Sequence, residues 1–207
     1  MEGLVEKVKP YFLQNNGARG FDHCLRVYHL GRYIALNEGA DIEIAETACI
    51  LHDIGKNRQK GICHAQLGAR MSLDILKSIG FPEEKIQRVA YGILVHRYSK
   101  GINPETIEAK IVQDADRLEE IGAVAIGRGI TEDVLHGKPL YDPTIHPNSE
   151  YETGGNKTSV NFLKEKSLKL KPETFHTQTA KKLAQERYAF TELFVQRFLE
   201  EWNFSSS

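Results

Sequence analysis

The sequence predicts an all-α protein, a helical bundle with one long loop excursion, and three observations lead there. Apolar residues recur every three or four positions along most of the chain, the spacing that lines them up on one face of an α-helix. No window alternates apolar and polar residues as a half-buried strand would, and no internal repeat is visible. The periodic stretches are separated by Gly, Pro and Asp, residues that stop and start helices.

The first clear element runs from Asp22 to Asn37, with His23, Val27, Leu30 and Ile34 on one stripe. Glu38-Gly39 ends it, and Asp41 stands where an N-cap would open the next helix, Ile42 to Asp53. That helix carries Ala45, Ala48, Cys49, Ile50 and Leu51, so it should be buried on most sides; Gly55 and the polar run Lys56 to Lys60 close it. A third helix spans Cys63 to Ser78 and stops at Gly80, and Pro82 starts a fourth that reaches Arg97. Pro104 opens a fifth, with Ile107, Ile111, Ala115 and Leu118 on one face. Residues 131 to 157 lose the periodicity and carry turn signals at Asp142-Pro143, His146-Pro147-Asn148 and Gly154-Gly155-Asn156. A loop of that length is a functional segment or a disordered one, and a lid over a pocket is the expectation. Helical spacing returns over Val160 to Leu170 and Glu173 to Trp202, with Leu183, Phe190, Phe194 and Phe198 as an apolar face. Tyr28, Tyr33 and the C-terminal aromatics are expected in the core. The organisation expected is one domain over 1–204, its helices 160–202 packing on the core, and a frayed tail at 205–207.

Charge and cysteine content narrow the function classes. The chain has 207 residues, with 27 Lys+Arg against 28 Asp+Glu, a formal net charge of −1. That balance argues against a nucleic-acid protein that neutralises many phosphates, but allows a small anionic ligand held by a few local cations. Three Cys, an odd number without C-x-x-C, fit a reducing compartment. Met1 to Pro10 alternates charged and apolar residues, unlike a signal peptide. The apolar stretch Ile121 to Ile126 is far shorter than the roughly 20 residues a membrane span needs. An unanchored cytoplasmic protein is the expectation.

His52-Asp53 is the chemically informative pair. It follows the apolar run Cys49-Ile-Leu, where an imidazole and a carboxylate would both be desolvated at a cost. A bound cation removes the cost, and mixed nitrogen and oxygen donors suit a divalent transition metal. His23 shows the same mismatch on its apolar stripe, as does Asp116 after Lys110-Ile-Val-Gln-Asp-Ala115. Inward-facing side chains on different helices are how bundles build metal sites. Taken singly, each of these residues reads first as a satisfied core histidine or a capped or salt-bridged aspartate.

The order H…HD…D in a helical context resembles the HD superfamily of metal-dependent phosphohydrolases. His23-Cys-Leu-Arg26-Val27, Leu51-His-Asp-Ile-Gly-Lys56, Ala109-Lys-Ile-Val-Gln-Asp-Ala-Asp116-Arg-Leu118, Gly122 to Arg128 and Lys166-Ser-Leu-Lys-Leu170 resemble a compact branch of it. That branch includes bacterial nucleoside triphosphate pyrophosphohydrolases. The resemblance implies one divalent ion (Mn, Fe, Ni, Co, Zn or Mg) held by His23, His52, Asp53 and Asp116, with a metal-bound water as nucleophile. It implies a nucleotide or similar small phosphorylated metabolite as substrate, cleaved at an anhydride or an ester. His64 and His96 stand where two-metal relatives add histidines. They could hold a second ion, orient water or protonate the leaving group; His64 could equally be a polar residue at a helix start. Lys56 and Arg128 are the first candidates for holding phosphate, followed by Arg26, Arg117 and Lys166. Asn161-Phe162 replaces the branch's His-Phe, so Asn161 offers no acid or base. A non-catalytic nucleotide or metal sensor of the same fold is the alternative.

The remaining motifs have plain structural readings. Gly122 to Gly129 lacks the lysine of a P-loop and fits close helix packing. His29, His136, His146 and His176 have no partner at ligand spacing, and Cys49 reads as a small buried hydrophobe.

Overall fold

A computed structural model describes residues 2–12, 20–56, 61–150 and 155–204. Among these residues every regular element is helical: α1 (Glu2–Val8), α2 (Phe21–Glu38), α3 (Ile42–Leu51), α4 (His64–Ser78), α5 (Glu83–Val95), α6 (Ile107–Leu118), α7 (Ala123–Leu135), α8 (Ser159–Glu165) and α9 (Gln178–Trp202), with short 3-10 turns. The expected tail at 205–207 lies outside the described residues. The chain divides into two compact units, Met1–Arg117 with His176–Ala180, and Leu118–Phe175 with Lys181–Ser207.

In the first unit α3 is the central rod, with every residue from Ile44 to Leu51 buried. Its start follows the sequence: Gly39 adopts φ 67° and ends α2, the left-handed turn a Cβ would strain. Asp41 then accepts from the Ile44 amide at 3.2 Å. Small residues bring the neighbours close. Gly31 of α2 lies against the Cys49 side chain, and Gly92 of α5 sits against Ala48 of α3 and Val112 of α6. Ile34, Ile44, Ile50, Leu51, Ile86, Ile93 and Ile111 fill the space between, each contributing about 1.5–3 kcal/mol by leaving water. The result positions helix ends: α3 and α5 finish, and α2 and α4 begin, around the same spot.

Several boundaries differ from the expectations, each for a local reason. α3 stops at Leu51, not Asp53, because the His52 ring takes the Cys49 carbonyl. α6 starts at Ile107, not Pro104, because Thr106 caps it through the Ala109 amide at 3.2 Å. α9 starts at Gln178, not Glu173, because Thr177 accepts from the Ala180 amide at 3.2 Å. α1 carries Leu4 and Val8 in the core and gave no clear periodic signal in so short a segment. Tyr33 is exposed and does not belong to the core.

The second unit packs α7, α8 and the later part of α9 around Ile126, Val160, Phe162, Leu163 and Val195. Gly129 of α7 lies against the Phe162 ring, the close helix packing its small residue suggested. The inward stripe of α9 here is Ala184, Thr191 and Val195, so Phe190 is exposed, contrary to expectation, while Phe194 and Phe198 are half-buried. The expected excursion is shorter at its start, since α7 continues to Leu135. α8 likewise ends at Glu165, and a 3-10 turn over Ser167–Lys169 replaces its predicted last turn. The loop after α7 is bonded to its own flanks. Asn156 donates to Asp133 at 2.9 Å, the Ser159 and Val160 amides donate to the Pro139 and Leu140 carbonyls, and Asn161 donates to the Ile145 carbonyl at 3.1 Å. No helix among the described residues is long and apolar enough to cross a membrane.

Candidate metal centre

The site begins with how α3 ends. The last carbonyls of a helix have no amide partner in the next turn, and His52 supplies one: its Nδ1 lies 2.7 Å from the Cys49 oxygen. Nδ1 therefore carries the hydrogen and donates, which leaves the lone pair on Nε2. His96 repeats the arrangement at the end of α5, with Nδ1 2.7 Å from the Ile93 oxygen. Each helix end thus fixes one ring and aims its Nε2 acceptor inward. Gly55 lets the chain turn here, since a Cβ would meet the backbone of His64 and Gly68.

His52 Nε2 is buried without a hydrogen-bond partner. It faces Asp53 Oδ2 and Asp116 Oδ1, each at 3.7 Å. His23 Nε2 joins from the first turn of α2, 3.4 Å from Asp116 Oδ1 and 3.9 Å from Asp53 Oδ2. Burial holds the His52 pKa down at about 4, although Asp53 and Asp116 pull it up. Burial alone would raise both carboxyls. For Asp53 the neighbouring His52, Lys56 and His96 outweigh it, and for Asp116 the His23 hydrogen bond and His52 do, so both lie well below the ordinary carboxylate range. At neutral pH the centre is a neutral imidazole lone pair set between two carboxylates, an arrangement that repels itself unless a cation sits among the donors. The donor set fits a divalent ion: the Nε2 atoms of two imidazoles and two carboxylates from α2, the end of α3 and α6.

A second group shares Asp53. Its Oδ1 lies 3.3 Å from His64 Nε2 and 4.0 Å from His96 Nε2, and the two imidazole nitrogens are 3.2 Å apart. Ligand atoms of His23, His52 and Asp53 lie within 4.8 Å of one another, as do those of Asp53, His64 and His96. Burial holds the His64 pKa down at about 4 as well. Because His96 Nε2 is an acceptor, what joins it to His64 is either a proton on the His64 nitrogen or a cation between them.

The expected phosphate clamps occupy different situations. Lys56 Nζ lies 3.0 Å from Asp53 Oδ2, against the cluster. Arg26 pairs with Asp22 at 2.9 Å on an outer turn of α2. Arg117 is only 3% exposed, 3.7 Å from Asp114, with its guanidinium 3.9 Å from the centre of the Tyr98 ring. In the second unit Arg128 donates to the Glu119 carbonyl at 2.7 Å and pairs with Glu120 at 3.0 Å, and Lys166 pairs with the same Glu120 at 2.9 Å.

Sequence reasoning missed a buried polar pair on α6. Gln113 donates to the Val95 and Ile102 carbonyls at 3.2 and 3.3 Å, so it holds the chain on both sides of the turn that follows His96. Its Oε1 accepts from His176 Nε2 at 2.7 Å. Asp114 accepts from the His176 and Thr177 amides and the Thr177 hydroxyl at 2.8–3.1 Å. The signal was available, since Gln113 and Asp114 interrupt an apolar helix just as Asp116 does. His176 seemed idle because its partner lies 63 residues away in sequence.

Known proteins resemble this chain along most of its length. The HD domain model matches residues 20–121, the span that supplies all six of these histidines and aspartates. Bacillus subtilis YpgQ, itself uncharacterised, is 31% identical over 194 residues, covering 92% of this chain and 87% of that protein. Among solved structures, an HD-superfamily hydrolase from Bacillus thuringiensis superposes with a TM-score of 0.77 at 30% identity, covering 98% of this chain and 96% of that one. YpgQ in complex with ADP gives 0.74 at 28% identity over 97% and 93% of the two chains. With its histidines and aspartates in the order the motif requires, folded to one spot, and relatives matching it along nearly its whole length, the chain belongs to the HD-domain family.

Proposed function

We propose that this protein is a divalent-metal-dependent phosphohydrolase whose substrate is a nucleotide. The observation that carries the reading is His52 Nε2, buried without a hydrogen-bond partner and facing two ionised carboxylates. A divalent ion held by His23, His52, Asp53 and Asp116 supplies a water of lowered pKa and offsets the charge on phosphoryl oxygens. The chain's own groups do the rest. Lys56 neutralises Asp53 at rest and is placed to meet an incoming phosphate oxygen. His64 and His96 flank Asp53 on its other oxygen, where the N–H of the neutral His64 ring can donate a hydrogen bond to a phosphate or leaving-group oxygen. The same pair with Asp53 also fits a second ion. The nucleotide is supported by the likeness to YpgQ, whose structure was solved with ADP.

The test is a screen of purified protein loaded with Mn²⁺, Co²⁺, Ni²⁺ or Mg²⁺ against nucleoside mono-, di- and triphosphates. Products are resolved as pyrophosphate or orthophosphate. Metal-dependent release from a nucleotide is the expected result, abolished by Asp53→Ala. Tight nucleotide binding with no turnover under any metal would replace this reading with that of a sensor.

A further inference from the structure

We infer that the cavity between the 98–103 turn and α6 receives the base of the nucleotide whose phosphates the histidine–aspartate cluster engages; this rests on the phosphohydrolase reading above. The cavity measures about 380 Å³, and Tyr98, Ile102, Asn103, Gln113 and His176 are among the residues that line it, a size and mixture of apolar and polar wall typical of small-ligand pockets.

Its place in the fold comes first. Tyr98 is two residues past His96 and Gln113 is three before Asp116, about 4.5 Å along the helix. The cavity wall and the cluster are therefore built from the same two chain segments, and Arg117, adjacent to Asp116, reaches the Tyr98 ring. A second cavity, about 260 Å³ beside Leu4, Lys7, Glu43 and Phe81, involves the start of α3, the end opposite His52.

The chemistry of the wall is the second argument. Tyr98 is 43% exposed, yet its ring is held by the Arg117 guanidinium 3.9 Å from its centre. Arg117 is in turn fixed by burial and by Asp114 at 3.7 Å, so it cannot follow the ring into solvent. An exposed aromatic face held by a buried cation is a platform for a planar ring, and stacking tolerates any base because every base has a π-face. The floor is rigid, since Gln113 spends both its amide groups on Val95, Ile102 and His176. Ser99 and Asn103 at the mouth are exposed and offer hydrogen bonds to a base edge or a ribose.

The experiment compares equilibrium binding of ADP and of inorganic pyrophosphate to the full chain loaded with Mn²⁺, by calorimetry. Both probes engage the cluster, and one has a base. Tyr98→Ala should raise the ratio of the ADP to the pyrophosphate dissociation constant about tenfold, and Tyr98→Phe should leave that ratio as in the parent. Ile102→Trp fills the cavity from its exposed side with Tyr98 and Arg117 in place, and should shift the ratio in the same direction, which covers any folding defect in Tyr98→Ala. A ratio unmoved by both Tyr98→Ala and Ile102→Trp, or parent protein that does not bind ADP, overturns the inference. Failure of the phosphohydrolase reading shows separately, as absence of turnover in the parent protein.

Discussion

Glu120 in the second unit and Asp53 in the first are both buried carboxylates, 5% and 4% exposed, but their surroundings differ in kind. Glu120 meets Arg128 at 3.0 Å and Lys166 at 2.9 Å, two groups that donate hydrogen bonds at any physiological pH. Asp53 meets one such donor, Lys56, and otherwise faces the imidazole nitrogens of His23, His52, His64 and His96 at 3.3–4.0 Å. The Nε2 atoms of His52 and His96 are committed as acceptors by the hydrogen bonds their Nδ1 atoms make. A buried charge closed by donors completes a fold. One set against the committed acceptors of His52 and His96 suits a cation, and this contrast sets the candidate metal centre apart from a structural ion cluster.

The largest effect should come from removing the shared carboxylate. Asp53→Ala should abolish stoichiometric Mn²⁺ uptake, measured by elemental analysis after desalting, together with all phosphate release, while circular dichroism stays helical. Retained uptake would mean the ion sits elsewhere. Glu120→Gln should do the reverse: leave Mn²⁺ uptake intact and cost about 1–3 kcal/mol of unfolding free energy, by removing the charge that Arg128 and Lys166 pair with. If it instead lowered metal content, the two clusters would not be separable. Ion binding itself should stabilise the parent by about 2.7 kcal/mol at a hundredfold excess over the dissociation constant, an increment that Glu120→Gln keeps and Asp53→Ala lacks.

Proton linkage offers a smaller distinction in the metal-free protein. His52 and His64 titrate at about 4 in the fold, against 6.5 for an unperturbed imidazole. Between those values the unfolded chain binds more protons than the folded one, so stability falls as pH drops from 6.5 towards 4. Each histidine contributes a slope of about 1.4 kcal/mol per pH unit. Above 6.5 both contributions are constant. Urea unfolding at several pH values should show this slope, and His52→Gln should remove its share. A parent protein with flat stability across that window would mean these rings are protonated in the fold.

Much of this was legible in the sequence, because the signals were local or rested on residue types out of place. The stripe of α2, the Gly39 stop and the Asp41 cap emerge as read. His23, His52, Asp53 and Asp116 stood out as polar groups in apolar settings, and they converge. What did not show was pairing at long sequence separation. Nothing near Arg117 says that it lies against Tyr98, and nothing near His176 points to Gln113. The partners of Arg26 and Arg117, Asp22 and Asp114, stand one helical turn away and were readable at i,i+4 and i,i+3 spacing, whereas Glu120 is brought to Arg128 and Lys166 by folding. Helix ends were misjudged where a side chain, His52 or Thr177, takes over a backbone bond.

The finest test uses glycine in each unit. A Cβ at Gly31 would fall against the Cys49 sulfur, and one at Gly129 would lie 2.7 Å from the Phe162 ring. Each substitution to Ala should cost about 1–3 kcal/mol by overpacking. Gly31→Ala also pushes α2, which carries His23, away from α3, which ends at His52, so it should weaken Mn²⁺ binding about tenfold, the lower end of the loss expected when an ion's supporting structure is disturbed. Gly129→Ala should leave that affinity unchanged. Adding Cys49→Ala removes the sulfur that Gly31→Ala meets, so the pair should couple favourably by about 1–2 kcal/mol and regain most of the lost affinity. Stability recovered without affinity would show that the spacing of α2 and α3 does not set the ion site, and that His23 is placed by something other than the close approach at Gly31.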